Sequence, residues 1–281
     1  MTVVDVIIPF SPEHSTEDEI ERAIQSVGKQ EIDTRVIKIV DEEQKGPAWA
    51  RNQGLEKAKN KYVAFLDADD YWKREKLSTQ LNKVREEDSG ICLTRSEIKG
   101  IEDPNPDYVG EEEFFEQMLY GKWVSLTSSI LIDTEKVSTK FNESIYRFED
   151  HLFIMKAGNE SGLSFVDEYL TVINKTDRGM SNNEEFIKKL KAKKEFFNEL
   201  REEFDVLDSE KEVMAKFYRW KGRHQYFDGE YTKSLESYKT SLNHQVQIKT
   251  ILAYSLTVSK MSFKKVKNSG QKIKFLLGRE R

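Results

Sequence analysis

Three carboxylates occupy four consecutive positions in Asp67-Ala68-Asp69-Asp70, directly after the apolar run Tyr62-Val-Ala-Phe-Leu66. Like charges at that spacing repel one another, and a divalent cation relieves the repulsion. An all-oxygen ligand set suits a hard ion, Mg²⁺ or Mn²⁺, which keeps waters and bridges substrate phosphates. The plainer account of such a run is a polar turn whose acids cap the next helix. A second acidic pair, Glu149-Asp150, opens a predicted helix, where acids also favour the positive end of the helix dipole. Adjacent helical residues point in different directions, so one of the two is expected to face a site. Cys92 is the single cysteine. It makes neither an internal disulfide nor a cysteine metal site, and on its predicted strand it reads as a small buried hydrophobe rather than a reactive thiol.

The elements that must position these groups alternate. Val3 to Pro9 suits a buried strand. Thr16 with Glu19 forms a capping-box pattern, and Ile20, Ala23, Ile24 and Val27 make one face of the helix that follows. Arg35 to Val40 is a second strand with Asp41, Glu42 and Glu43 at its end. Gly46-Pro47 opens a helix carrying Ala48, Ala50, Leu55 and Ala58, and Tyr62 to Leu66 is the third strand. Such alternation with short links implies right-handed crossovers and an α/β fold with a mostly parallel sheet flanked by helices. Ligands of such sheets bind beyond the carboxyl ends of the strands, where all three strands place their unusual residues. Gly90 to Glu97, Ser128 to Ile132 and Leu163 to Ile173 read as further strands; Gly110 to Tyr120 and the stretch from Glu149 through Gly158 read as helices. After Ser181 the pattern is helical nearly to the end, so the expected domains are 1–183, α/β, and 184–281, all-α.

Composition agrees with a folded chain. The 281 residues give a prior near two domains and enough length to bury a core. Aromatic residues at 11% argue against disorder, and five prolines with 14 glycines argue against a low-complexity or collagen-like chain. Cysteine usage favours a reducing compartment. No secretory signal or membrane span is visible, since Thr2 to Phe10 and Ile251 to Val258 are both too short. Charge is uneven: residues 245–281 carry nine Lys/Arg and one acid, which leaves −13 on the remaining 244 residues against a net −5. A basic tail on an acidic body suits an anionic partner, membrane headgroup or nucleic acid, and equally suits a solvated terminal helix. The tail interleaves few aromatics with its lysines, which disfavours nucleic acid.

The ordered motifs Val-Asp-Val-Ile-Ile-Pro9, Ile-Val-Asp41-Glu42, Gly46-Pro-Ala-Trp-Ala-Arg51-Asn52-Gln-Gly54, Tyr62-Val-Ala-Phe-Leu-Asp-Ala-Asp-Asp-Tyr-Trp72 and Phe148-Glu-Asp150 resemble the family 2 glycosyltransferases of GT-A fold. The resemblance covers roughly residues 3 to 180. It implies a metal-dependent, inverting transferase that moves a sugar from a nucleotide-sugar, UDP-linked ahead of GDP-linked, to a glycan hydroxyl. Asp69 matches the metal-binding aspartate of the Asp-x-Asp motif, and Asp67, with Ala68 between them, matches its partner near the ribose and diphosphate. Pro9 and Phe10 match the first loop, which frames the nucleotide. Asp41 and Glu42 fall where the family has two aspartates, the second contacting the base, and the family's following Gly-Ser is absent here. Arg51 matches a residue near the phosphates, Asp150 the catalytic base, and Arg178 and Ser181 resemble a loop that closes over the donor. Under that reading Asp150 takes the acceptor's proton, a cation stabilises the departing diphosphate, and no protein nucleophile is required.

A nearer alternative is a polyprenyl-phosphate sugar synthase, although Asp70-Tyr71-Trp72 stands where those relatives show Leu-Gln after Asp-Ala-Asp. A different class is a non-catalytic helical scaffold on a transferase fold. Gln225 to Leu242 resembles one tetratricopeptide-like helix pair turning at Gly229, with Tyr231, Leu235, Tyr238 and Leu242 on a stripe. One pair does not stand alone as a repeat array, so it is expected to pack on the α/β domain or on a second subunit. The basic amphipathic tail suits an anionic membrane surface, which would make the chain a cytoplasmic protein, peripheral on the cytoplasmic face. A buried helix with its lysines in water accounts for the tail equally well.

Overall fold

The computed structural model describes residues 2–98, 105–120, 122–123, 127–145, 147–174 and 183–261. The expected donor-loop residues Arg178 and Ser181, and the tail beyond 261, lie outside them. Contacts divide the chain into two compact units, 1–205 and 206–281.

The first unit holds strands β1 (Val3–Phe10), β2 (Asp33–Val40), β3 (Tyr62–Phe65), β4 (Tyr71–Trp72), β5 (Ile91–Ile98), β6 (Leu131–Asp133) and β7 (Leu163–Ile173). Its helices are α1 (Glu17–Val27), α2 (Pro47–Lys57), α3 (Lys76–Glu87), α4 (Glu111–Leu119), α5 (Glu149–Ser161) and α6 (Asn183–Leu200). The seven strands form one sheet in the order β2-β1-β3-β6-β5-β7-β4. β1 pairs in parallel with β2 and β3, which is the expected βαβαβ unit. β6 then runs antiparallel to both β3 and β5, β5 and β7 are parallel, and β4 is antiparallel to β7. The sheet is therefore mixed, with parallel pairing concentrated where the three acidic or loop-bearing strand ends lie.

Local chemistry explains the elements. Thr16 and Glu19 close the capping box of α1 in both directions, at 2.8 Å and 3.3 Å. β1 is buried along nearly its whole length, as a strand covered on both faces should be. α2 starts at Pro47 behind Gly46, whose φ of +98° a side chain rarely adopts. This helix buries Arg51 and Asn52 along with its alanines. Asn52 earns its place by hydrogen bonding the backbone of Phe141 in both directions, 2.9 Å and 3.0 Å. α6 belongs to this unit, so the boundary falls after that helix rather than before it at 183: Phe196, Phe197 and Leu200 are fully buried, and Phe196 meets Phe148 at 6.2 Å.

The second unit contains α7 (Leu207–Phe227), α8 (Tyr231–His244) and a helix over 248–261, here α9. α7 and α8 turn at Gly229, φ +78°. Their tight face is made of small residues: Ser234 donates to the Gly222 carbonyl at 2.7 Å and Ser241 to the Ala215 carbonyl at 2.6 Å. Tyr238 is buried over Gly222, while Tyr231, Leu235 and Leu242 are only half-buried.

Candidate active site

A cleft of 840 Å³ opens at the carboxyl ends of β1, β2 and β3. That is within the size range of small-molecule sites. Pro9, Phe10, Asp41, Arg51, Asp67, Ala68 and Asp69 all line it. Glu42 does not: it is exposed on the turn after β2 and is absent from the lining. Asp41 is buried, and its two carboxylate oxygens accept from the Lys45 and Gly46 amides at 2.9 Å and 2.7 Å. It thereby shapes the turn into α2. Ser11, which sequence reasoning passed over, also lines the cleft, and its buried hydroxyl has no hydrogen-bond partner among the described residues. Its only signal was its place directly after Phe10.

The acidic turn is held from several sides. The Asp67 amide donates to the Ser128 hydroxyl at 3.1 Å, and that hydroxyl donates to Asp70 Oδ2 at 2.6 Å. The Asn174 amide donates to Asp70 Oδ1 at 3.1 Å, while Arg22 and the Asn174 side chain both donate to the Asp69 carbonyl. Burial, together with the Asp67 and Asp69 charges, pushes the Asp70 carboxyl well above its ordinary range. The third acid is thus an organiser of the turn, and the other two face the cleft.

Arg51 joins two acidic motifs that are distant in sequence. It is buried, with Nη2 2.8 Å from Asp67 Oδ1 and Nη1 3.0 Å from Glu149 Oε1. Burial opposes its charge, but the two carboxylates more than compensate and hold the guanidinium protonated. Its Nε is buried without a hydrogen-bond partner among the described residues. Glu149, on the cleft wall, has its pKa raised by burial and by Asp150, against the pull of Arg51.

Asp150 is not among the residues that line the cleft, although its neighbours Thr127 and Glu149 are, and its side chain keeps 16% exposure. Its Oδ1 accepts from the His151 amide at 2.8 Å and meets His151 Nδ1 at 3.0 Å. Oδ2 accepts only a longer bond, 3.3 Å, from the Thr127 hydroxyl among the described residues. His151 Nε2 lies 2.9 Å from the Trp123 carbonyl oxygen. Both ring nitrogens therefore face acceptors, which calls for the doubly protonated imidazolium. Burial works against both charges, yet the His151 charge and hydrogen bonds hold Asp150 well below the usual carboxylate range, and Asp150 raises His151 in turn. Lys193 of α6 sits nearby in electrostatic reach of Asp150, caged by Phe148, Phe196 and Phe197 at 4.7, 3.8 and 5.1 Å. Its ammonium nitrogen has no hydrogen-bond partner among the described residues, and burial pulls its pKa down to about 7. Nothing in a lysine-rich helix distinguished this lysine beforehand.

The residues suit a hard cation in one respect. Asp67 is paired with Arg51, whereas no ion pair engages Asp69 among the described residues. Burial and the Asp67 charge push the Asp69 carboxyl up to about 6, the repulsion that a cation would relieve. Among the described residues no group of three or more His, Cys, Asp or Glu side chains is placed to hold a metal ion. Asp67 and Asp69 are the two carboxylates of the acidic turn that line the cleft.

Comparison with known proteins bears on this arrangement. Residues 14–137 match the sequence model of "Glycosyl transferase family 2". The chain is 45% identical over 65 residues to the putative teichuronic acid biosynthesis glycosyltransferase TuaG of Bacillus subtilis, a stretch that spans 23% of this chain and 26% of that protein. Its fold is similar to that of S. aureus TarS 1–349 in complex with UDP-GlcNAc, with TM-score 0.55 and 17% identity over 92% of this chain and 79% of the other. It is similar too to the mannosyltransferase PcManGT of Pyrobaculum calidifontis in complex with GDP-Man and Mn²⁺, with TM-score 0.56 and 12% identity over 99% of this chain and 88% of that one. Motif order, cleft and family match agree over the stretch they share: residues 14–137 are a match to glycosyl transferase family 2, and the chain spans under half the length of its curated relative TuaG.

Proposed function

We propose that the protein is a metal-dependent, inverting glycosyltransferase that moves a sugar from a nucleoside-diphosphate sugar to a hydroxyl of a growing glycan. The observation that carries this reading is the Asp67–Arg51–Glu149 bridge, which ties the acidic turn of the cleft to the helix bearing Asp150. Pro9, Phe10 and the turn after Asp41 frame the nucleotide, and the unpartnered Ser11 hydroxyl offers it a hydrogen bond. Asp150 is the base. Its Oδ1 is anchored by His151, so Oδ2 is the oxygen left to take the acceptor's proton. The acceptor oxygen bonds to the anomeric carbon as the bond to the diphosphate breaks, and the single displacement inverts that centre. A divalent cation, when bound at Asp69 with Asp67 beside it, would supply Lewis-acid stabilisation to the leaving diphosphate. UDP is favoured as the carrier over GDP; among the similar structures TarS holds UDP-GlcNAc, whereas PcManGT holds GDP-Man.

Calorimetric titration of UDP and GDP, with and without Mn²⁺, tests the reading on wild type and on Asp69→Ala. Binding of UDP that requires Mn²⁺ and is lost in the variant is the expected result. Failure of a folded protein to bind either nucleotide would overturn it. With the donor in hand, Asp150→Asn is expected to lower turnover about 10²–10⁴-fold while nucleotide affinity stays nearly constant. A larger loss in Glu149→Gln than in Asp150→Asn would move the base to Glu149.

A further inference from the structure

The helix α9 is turned inside out. Its packed side carries Thr250 and Thr257, both fully buried, with Ala253 and Tyr254 half-buried between them. Thr250 lies 3.5 Å from the Ser241 hydroxyl, and the Thr257 hydroxyl donates a hydrogen bond to the Ala253 carbonyl at 2.8 Å. Its outer side carries Ile248, Leu252 and Leu256, 77%, 59% and 65% exposed, with Ile251 and Val258 also in water. Residues four apart share one line along a helix, so the three side chains form a continuous apolar ridge. Water is a poor environment for such a ridge, and contiguous exposed apolar surface marks an interaction site.

Charge identifies what covers it. Lys249 and Lys260 are exposed and lie eleven residues, three turns, apart on one flank of the ridge. Residues 245–261 contain no Asp or Glu, and the sequence from 245 to 281 has nine basic residues against one acid. A second copy docked ridge to ridge would bring two such basic segments together. An anionic surface complements them instead. No helix of the described residues is long and apolar enough to cross a membrane, so the fitting geometry is a helix lying in the interface, apolar ridge inward and lysine stems reaching toward headgroups. We propose that the outer face of α9 docks the protein on an anionic lipid bilayer. This inference stands on the second unit alone and is independent of the transferase reading.

Flotation of the full chain with vesicles tests it. Wild type is expected to float with phosphatidylcholine vesicles containing phosphatidylglycerol, to stay unbound with phosphatidylcholine alone, and to be released by high salt. The triple variant Ile248→Ser, Leu252→Ser, Leu256→Ser removes exposed side chains only, so its melting temperature should be unchanged. Its partition onto anionic vesicles should fall about tenfold or more. Lys249→Glu with Lys260→Glu, which leaves the ridge intact, should weaken binding in the same direction. Absence of wild-type flotation, or flotation of the triple variant equal to wild type, overturns the proposal. So does a soluble dimer that the triple variant dissolves in a protein that binds no vesicle, which would assign the ridge to a second copy.

Discussion

Three acids in one turn carry three different burdens, and their neighbours assign them. Asp70 is taken up by Ser128 and Asn174, Asp67 by Arg51, and Asp69 is left against the cleft. Because the Asp69 carboxyl is pushed up to about 6, the native state holds its proton more tightly than the unfolded chain does. Stability is then lost as pH rises from about 4 toward 6 and stays lost above that. Without divalent cation, Asp69→Asn should accordingly be more stable than wild type by about 1–2 kcal/mol at pH 8, after allowance for solvent screening, and the gap should close toward pH 4. Thermal melts across that range check it. Mn²⁺ should reverse the order by raising the melting temperature of wild type alone. Equal stability of the two proteins at pH 8 would mean that Asp69 carries no repulsion for a cation to relieve. The types and spacing of these acids were plain in the sequence; their division of labour was not, because Ser128 and Asn174 are far away along the chain.

At the scale of elements, α2 is the piece on which the cleft depends. It carries Arg51 and has no broad apolar stripe, so close approach to β1 and the Asn52–Phe141 bonds hold it in place. Gly54 permits that approach: a Cβ there would meet three atoms of the buried Ile7 side chain at 2.3–2.9 Å. Gly54→Ala should destabilise the protein by about 1–3 kcal/mol and weaken binding of the nucleotide donor by displacing Arg51. Denaturant melts and calorimetry on the variant check both, and a wild-type midpoint would show that α2 is free to shift. The first three strands and two helices were legible from apolar runs and caps. The antiparallel insertion of β6 between β3 and β5 was not, since three buried residues carry no sign of which neighbours they pair with.

At the scale of the whole molecule, the two units differ in what each leaves exposed, and the boundary between them is testable. A chain ending at Asp205 should melt cooperatively and keep its nucleotide affinity. One ending at Asn182 discards Phe196, Phe197 and Leu200, fully buried in the first unit and worth about 1.5–3 kcal/mol each, and should not fold stably. Circular dichroism of the two truncations decides between them; a stable, binding-competent 1–182 fragment would restore the earlier boundary. The sequence by itself determined the α/β class, the strand ends that gather the cleft and the acids that face it, because buried strands, caps and close-set charges write short-range patterns. Tertiary structure alone decided that Arg51 bridges Asp67 to Glu149, that His151 anchors one oxygen of Asp150, that Lys193 lies in an aromatic cage, and that α9 turns its threonines inward and its leucines outward. Each of those outcomes depends on partners brought together by packing, and local periodicity carries no record of which distant side chain will be the neighbour.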